Sequence, residues 1–313
     1  MKEKNSYFSE YIKINGIEQY LLHYPSISSE FPILLFVHGG PGMAESNFAY
    51  AFQGNLSNLF TVVHWDQRGA GKTLTKSKKT DPMMSELLSD LLEVVRHLKD
   101  KYNKDKIVIL GHSFGSVLGT LFALKYPNEV LYYIGAGQVV SIVENEKIGF
   151  ERLKELIINS NNKKDLISLE KIGIYPDIAY NKFMLKKIRK IRLLQGKYNI
   201  GMDFKSIMKT MFKSPIFKIS DIFSFSKGMS NNKPVWEFLL EHSLYNENTD
   251  YKVPVYYIMG ERDFQAPNFF ARAYFDSKNA PAKKFFMLSN AGHFMMLDQP
   301  NLFANALKEI SAL

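Results

Sequence analysis

A serine flanked by glycines two residues away on either side stands where an apolar strand-like run gives way to an apolar helix-like one. Residues 106–110, Lys-Ile-Val-Ile-Leu, lead into Gly111-His112-Ser113-Phe114-Gly115, and helical apolar spacing continues to residue 126. Few folds accept this order. A strand that turns directly into a helix forces the residue at the bend into a strained conformation, and only glycine lets the neighbouring backbone pass closely. The serine oxygen then stands at a helix N-terminus, where backbone N–H groups favour developing negative charge. A plain serine N-cap with incidental glycines is the bland alternative.

The rest of the chain fits that bend. Residues 11–14 and 19–23 alternate as short strands around Asn15-Gly16, a hairpin signal. Residues 33–37, 60–65, 106–110 and 130–136 are apolar runs of the kind buried on both faces of a parallel sheet. Between them, residues 85–102 place Leu87, Leu88, Leu91, Leu92, Val95 and Leu98 at helical spacing. The expected class is α/β, a mostly parallel sheet with helices on both faces. From about residue 142 helical periodicity takes over, at 151–159, 179–195 and 235–245. The alternation resumes with strands at 255–259 and 284–288 and helices at 267–275 and 299–313. This predicts a core of residues 1–141 and 249–313 with an inserted helical cap at 142–248.

Composition narrows the function classes. The chain has 313 residues, no Cys and a net charge of +9. Without cysteine there is no disulfide framework, no thiol nucleophile and no Cys-ligated zinc. Between Ser141 and Asp250 there are 19 Lys plus Arg against 13 Asp plus Glu, a balance of +6, so the expected cap carries most of the excess. Its residues 183–194 are basic and amphipathic. Such a helix can meet an anionic membrane, but more often it packs its apolar side on the domain below and solvates its lysines. No nucleic-acid motif accompanies the charge. No apolar run approaches the roughly 20 residues of a membrane span, and Met1-Lys2-Glu3-Lys4-Asn5-Ser6 opens no secretory signal. A cytoplasmic protein without stable membrane insertion is expected.

A serine hydroxyl needs a base, and the base needs an acid to orient it. Sheets with a serine at such a bend supply them in the order Ser, acid, His. Asp263 follows the strand at 255–259 in Gly260-Glu261-Arg262-Asp263, and His293 follows the strand at 284–288 in Asn290-Ala291-Gly292-His293. Both stand just past a strand's C-terminal end, where open α/β sheets build their sites. Glu261 is the nearest rival for the acid. If Ser113 attacks a carbonyl, two N–H donors must meet the oxyanion. Phe114 supplies one. His38-Gly39-Gly40-Pro41-Gly42, after the first buried strand, supplies the other. Pro41 has no N–H, so Gly40 is preferred and Gly39 is the reserve.

With these residues in place, the chain resembles α/β hydrolases, and among them the proline iminopeptidase-like serine hydrolases. The resemblance rests on His38 to Gly42, Asp66-Gln67-Arg68-Gly69-Ala70-Gly71-Lys72-Thr73, Gly111 to Ser116, Gly260 to Asp263 and Gly292-His293, in family order. It implies the catalytic residues Ser113, Asp263 and His293, an oxyanion hole from Phe114 and Gly40, and no metal or cofactor. It further implies that the Asp66-Gln67-Arg68-Gly69 segment braces the oxyanion loop, with Asp66 and Arg68 as structural supports rather than catalysts. The implied substrate is a short peptide with an N-terminal Pro or small residue. A small carboxylic ester or non-peptide amide, or a non-enzymatic ligand sensor, are the alternatives. The chain departs from the family in having His112 and Phe114 around the serine and in lacking the cap's Glu-Asn-His-Tyr signature. The nearest acidic pair is Glu237 and Glu241, four apart on one expected helix face, a candidate reader of a substrate ammonium. Met208, Met211, Phe212, Phe217, Phe223 and Phe225 are candidates to roof an apolar pocket, or form ordinary cap core.

Overall fold

The computed structural model describes residues 6–78, 81–181 and 183–313; the polar opening Met1 to Asn5 lies outside them. In chain order the first half holds strands β1 (Phe8–Ile14), β2 (Ile17–Tyr24), β3 (Ile33–Val37) and β4 (Thr61–Asp66) and helices α1 (Gly71–Ser77) and α2 (Met84–Tyr102). Then come β5 (Ile107–His112), α3 (Phe114–Lys125) and β6 (Val130–Ala136). Among the described residues six α-helices intervene: α4 (Ile142–Asn159), α5 (Lys163–Glu170), α6 (Met184–Lys197), α7 (Phe204–Phe212), α8 (Ser220–Gly228) and α9 (Lys233–Glu241). The chain closes with β7 (Val255–Gly260), α10 (Asn268–Ser277), β8 (Lys283–Leu288), α11 (Met295–Asp298) and α12 (Pro300–Ser311).

The strands form one sheet in the order β1-β2-β4-β3-β5-β6-β7-β8. The β1–β2 and β2–β4 pairs are antiparallel and the rest parallel. The hairpin turns where Asn15 and Gly16 both take positive φ, 46° and 84°, as a two-residue turn requires. The central strands β3, β4 and β5 are buried at every position, which explains their unbroken apolar runs. The register pairs Val37 with Gly111, and His112 with Ala136, so strands β3, β5 and β6 end together. The loops that carry the glycine motif, Ser113, Asp263 and His293 therefore leave the same edge of the sheet.

The helices between β6 and β7 have a small core of their own, built from Leu153, Ile157, Leu169, Ile172, Ile191, Leu194 and Ile200. Contacts on α1 and the glycine loop help fasten this layer to the sheet domain. Lys72 on α1 meets Asp221 on α8 at 2.7 Å, both buried. Gly42 and Gly228 touch backbone to backbone, and a Cβ on Gly42 would stand 2.2 Å from the Gly228 oxygen. Among the described residues no helix is long and apolar enough to cross a membrane.

Local chemistry accounts for the helix ends that differ from expectation. The helix expected from residue 179 starts at Met184, because the Asn181 side chain accepts the N–H groups of Phe183 and Met184. The helix expected to reach residue 245 ends at Glu241, where the Leu244 N–H donates to Val140 and Ser243 pairs with Ser141. α6 buries Met184, Ile188, Ile191 and Leu194 beneath exposed cations, so its apolar side packs inward.

Candidate active site

Ser113 occupies the bend between β5 and α3 with φ 53° and ψ −122°, a conformation that costs on the order of 1–3 kcal/mol unless its surroundings hold it. The flanking glycines are sterically required. A Cβ on Gly111 would lie 2.3 Å from the Gly115 oxygen, and one on Gly115 would lie 2.0 Å from the Val37 oxygen. The Ser113 N–H donates to Ala136 and anchors the bend to β6.

His293 Nε2 lies 2.8 Å from Ser113 Oγ, and His293 Nδ1 lies 2.8 Å from Asp263 Oδ2. Asp263 is fully buried, and its Oδ1 accepts the N–H groups of Gln265 and Ala266 at 2.9 Å each. His293 Nδ1–H donates to Asp263 Oδ2, which leaves Nε2 as the acceptor facing the serine hydroxyl. Glu261, the rival acid, instead accepts the Asn290 N–H and faces solvent.

The glycine loop distinguishes its two candidate donors. The Gly39 N–H is engaged by Glu45 Oε1 at 3.1 Å. Gly40, with φ 123°, lines the same cavity as Ser113 and Phe114. Phe114 opens α3, where helix N–H groups lack intrahelical partners. His38 is buried, and burial pulls its imidazole down to about 4, so it is neutral. Its Nδ1–H donates to the Gly39 carbonyl while its Nε2 accepts the Gln67 N–H. The Gln67 side chain donates to the His38 carbonyl at 2.9 Å.

Within the Asp-Gln-Arg-Gly segment the contact to the glycine loop falls to one residue. Gln67 holds the loop, whereas Asp66 accepts the Lys72 N–H at the start of α1 and Arg68 grips Asp90 on α2. Gln67→Ala should cost about 1–3 kcal/mol, the usual penalty for stranding a buried acceptor. Urea unfolding should show the lower midpoint at an unchanged slope.

One feature of the site had no signal in the local sequence. His112 is buried, with Nδ1 2.7 Å from Glu45 Oε1 and Nε2 2.9 Å from the His293 carbonyl. Both ring nitrogens face acceptors, so both carry protons. Burial alone would lower the His112 pKa, but the Glu45 charge and hydrogen bond outweigh it and hold it above its ordinary value. Glu45 is held below its own ordinary value: burial pushes up, and the His112 cation and the Gly39 N–H push down further. The ion pair thus joins the glycine loop, the bend and the backbone of His293.

The cavity above Ser113 has a volume of about 480 Å³. Its lining is mostly apolar, including Leu185, Ile188, Met208, Phe225 and Trp236. Of the residues expected as a roof, Met208 and Phe225 line it, Met211 is buried in the core, Phe217 packs against that core, and Phe212 and Phe223 are exposed. Glu237 and Glu241 do not reach it. On α9 the buried Trp236 and Leu239 face the cavity, while Glu237 is exposed beside Lys233 at 3.5 Å and Glu241 is exposed too. Among the described residues, no group of three His, Asp or Glu side chains converges to hold a metal ion.

The chain is 27% identical over 301 residues to a protein of Bacillus subtilis (strain 168) named "Probable aminopeptidase YbaC", spanning 93% of this chain and 92% of that one. It is 22% identical to "Proline iminopeptidase PfmaB" of Pestalotiopsis fici, over 96% and 98% of the two chains. In fold it is similar to a proline iminopeptidase-related protein of Thermus thermophilus, with a TM-score of 0.67, 21% identity and 98% of each chain covered. The family profile for the alpha/beta hydrolase fold matches residues 32–300. This chain belongs to the alpha/beta hydrolase family.

Proposed function

We propose that the protein cleaves the ester or amide bond of a small, largely apolar substrate through an acyl-enzyme on Ser113. The hydrogen-bonded chain from Ser113 through His293 to Asp263, opening into an apolar cavity, carries this reading. Ser113 Oγ attacks the carbonyl carbon as its proton passes to His293 Nε2. The N–H groups of Gly40 and Phe114 receive the oxyanion. The imidazolium, steadied by Asp263, gives its proton to the departing oxygen or nitrogen. Water, deprotonated by the same imidazole, then attacks the acyl-enzyme and releases Ser113. Labelling by a fluorophosphonate probe, with a mass increment on the peptide bearing Ser113, tests this. An inert Ser113 would favour a ligand sensor.

The relative named as an aminopeptidase favours a second reading, release of an N-terminal Pro or small residue from short peptides. That reading requires a carboxylate for the substrate ammonium, since an unpaired cation in an apolar cavity is costly. Among the described residues Glu45 is the only carboxylate lining the cavity, and His112 and Gly39 already engage it. Aminoacyl-naphthylamides therefore decide between the readings. The ester and amide reading expects N-acetylated and free-amine forms to be cleaved within a few-fold of each other. A strict requirement for the free amine would establish the aminopeptidase instead.

A further inference from the structure

Among the described residues, six side chains both line the cavity and are exposed: Lys186, Arg189 and Leu193 on α6, and Ile222, Ser226 and Ser230 on or just beyond α8. They mark the portal, which opens between these two helices. Two of the six are cations and none is a carboxylate. Two neighbouring cations of α6 are neutralised: Lys187 meets Asp177 at 3.0 Å, and Arg192 is bound to the buried Glu146. Among the described residues no carboxylate comes within ion-pair distance of Lys186 or Arg189. Lys186 lies over the Phe183 ring, 5.8 Å from the ring centre. The two are three residues apart, so they share one face of the helix. Deeper in, Glu45, the one lining carboxylate among the described residues, is already engaged by His112 and Gly39.

We infer that this portal selects substrates whose end distal to the scissile bond carries a carboxylate or phosphate. The inference rests on the hydrolase reading above and names its substrate class. The apolar lining takes the alkyl or aryl body of the substrate. Its charged end stays at the portal, half in water, so it keeps much of its hydration while two cations attract it. An ammonium end in the same place meets two like charges, and among the described residues no carboxylate on the rim answers it. Charge pairs at such exposure are modest singly, and reversing the sign of the substrate end against two cations is worth roughly tenfold in kcat/KM. The preference weakens with salt, because the Debye length shortens to roughly 3 Å at 1 M.

Three 4-nitrophenyl esters of matched length test this, with acyl chains ending in carboxylate, methyl or ammonium. A parallel set carries a phosphate, a hydroxyl or an aminomethyl group on the leaving phenol. Hydrolysis of the methyl-terminated ester, and its loss in Ser113→Ala, reports the hydrolase reading independently. The expected result is a roughly tenfold or larger preference for the anionic over the ammonium member in at least one set. It should shrink in 0.5 M NaCl and disappear or invert in Lys186→Glu/Arg189→Glu. Equal kcat/KM across charges in both sets, with the methyl ester still hydrolysed, would overturn the inference and leave the hydrolase reading standing. A preference untouched by the double variant would also overturn it. So would charge-blind hydrolysis in solution that rises only when phosphatidylglycerol vesicles are added, because the cations would then be meeting a bilayer surface.

Discussion

Ser113→Ala should reduce kcat/KM by several orders of magnitude on any substrate the wild-type protein turns over, within the ~10³–10⁶ range seen when such a nucleophile is removed. The change deletes one oxygen from a half-buried side chain and leaves the strained backbone of the bend to Gly111 and Gly115, which fix it sterically. Folding should therefore survive, and circular dichroism with a thermal melt checks that it does. His293→Ala should fall as far, and combining the two should add little, because Ser113 and His293 act as one unit. Asp263→Asn should cost roughly 10⁴-fold in turnover. An amide in place of Oδ2 would donate toward Nδ1, driving the proton to Nε2, where it faces the serine. Glu261→Gln should stay within a few-fold, since that carboxylate is spent on the Asn290 N–H. Near-wild-type hydrolysis by a folded Ser113→Ala protein would end the acyl-enzyme proposal. A larger loss from Glu261→Gln than from Asp263→Asn would mean the acid is misassigned.

The sequence was most readable where burial dictates residue type. β3 and β5 are buried on both faces, so their Ile, Leu, Val and Phe runs mark them without help from elsewhere. The three residues brought together at Ser113 were legible because each follows a strand of the parallel part of the sheet, and parallel strands must end at one edge. α1 was not legible: no apolar spacing marks a helix at Gly71-Lys72-Thr73, yet Asp66 caps its first turn through the Lys72 N–H and Lys72 is buried against Asp221. Spacing correctly put Glu237 and Glu241 in one helix but not on the cavity side. That is decided by Trp236 and Leu239, whose apolar surface is better placed inward. Amphipathicity showed that α6 exposes its cations. It gave no means of telling Lys186 and Arg189, at the portal, from Lys187 and Arg192, which have partners. The Glu45–His112 pair joins residues 67 apart in sequence, and neither side chain announces the other.

That pair has a measurable consequence. Glu45→Gln should destabilise the protein by about 3 kcal/mol near pH 5.5, toward the low end for breaking a buried ion pair because an imidazole can escape by losing its proton. Both partners are buried, so neither finds water to replace the other. The loss should depend on pH in a specific way. His112 is held above its ordinary value of 6.5, so its share of the stability is full below that pH and is lost as pH rises through the folded-state value. Glu45 is held below its ordinary value of 4.5, so its share is full above that pH and is lost as pH falls through its folded-state value. The difference between wild type and Glu45→Gln should therefore peak between about pH 4.5 and 6.5 and narrow on either side. Urea denaturation of both proteins at intervals from pH 4 to 9 measures it. A difference constant across that range would mean that the pair is not ionised. Turnover gives a second readout, because the same carboxylate holds the Gly39 N–H and, through His112, the His293 carbonyl. Glu45→Gln should lower kcat more than it raises KM, since what it loosens is the alignment of the oxyanion loop with the serine and not the apolar lining that binds the substrate.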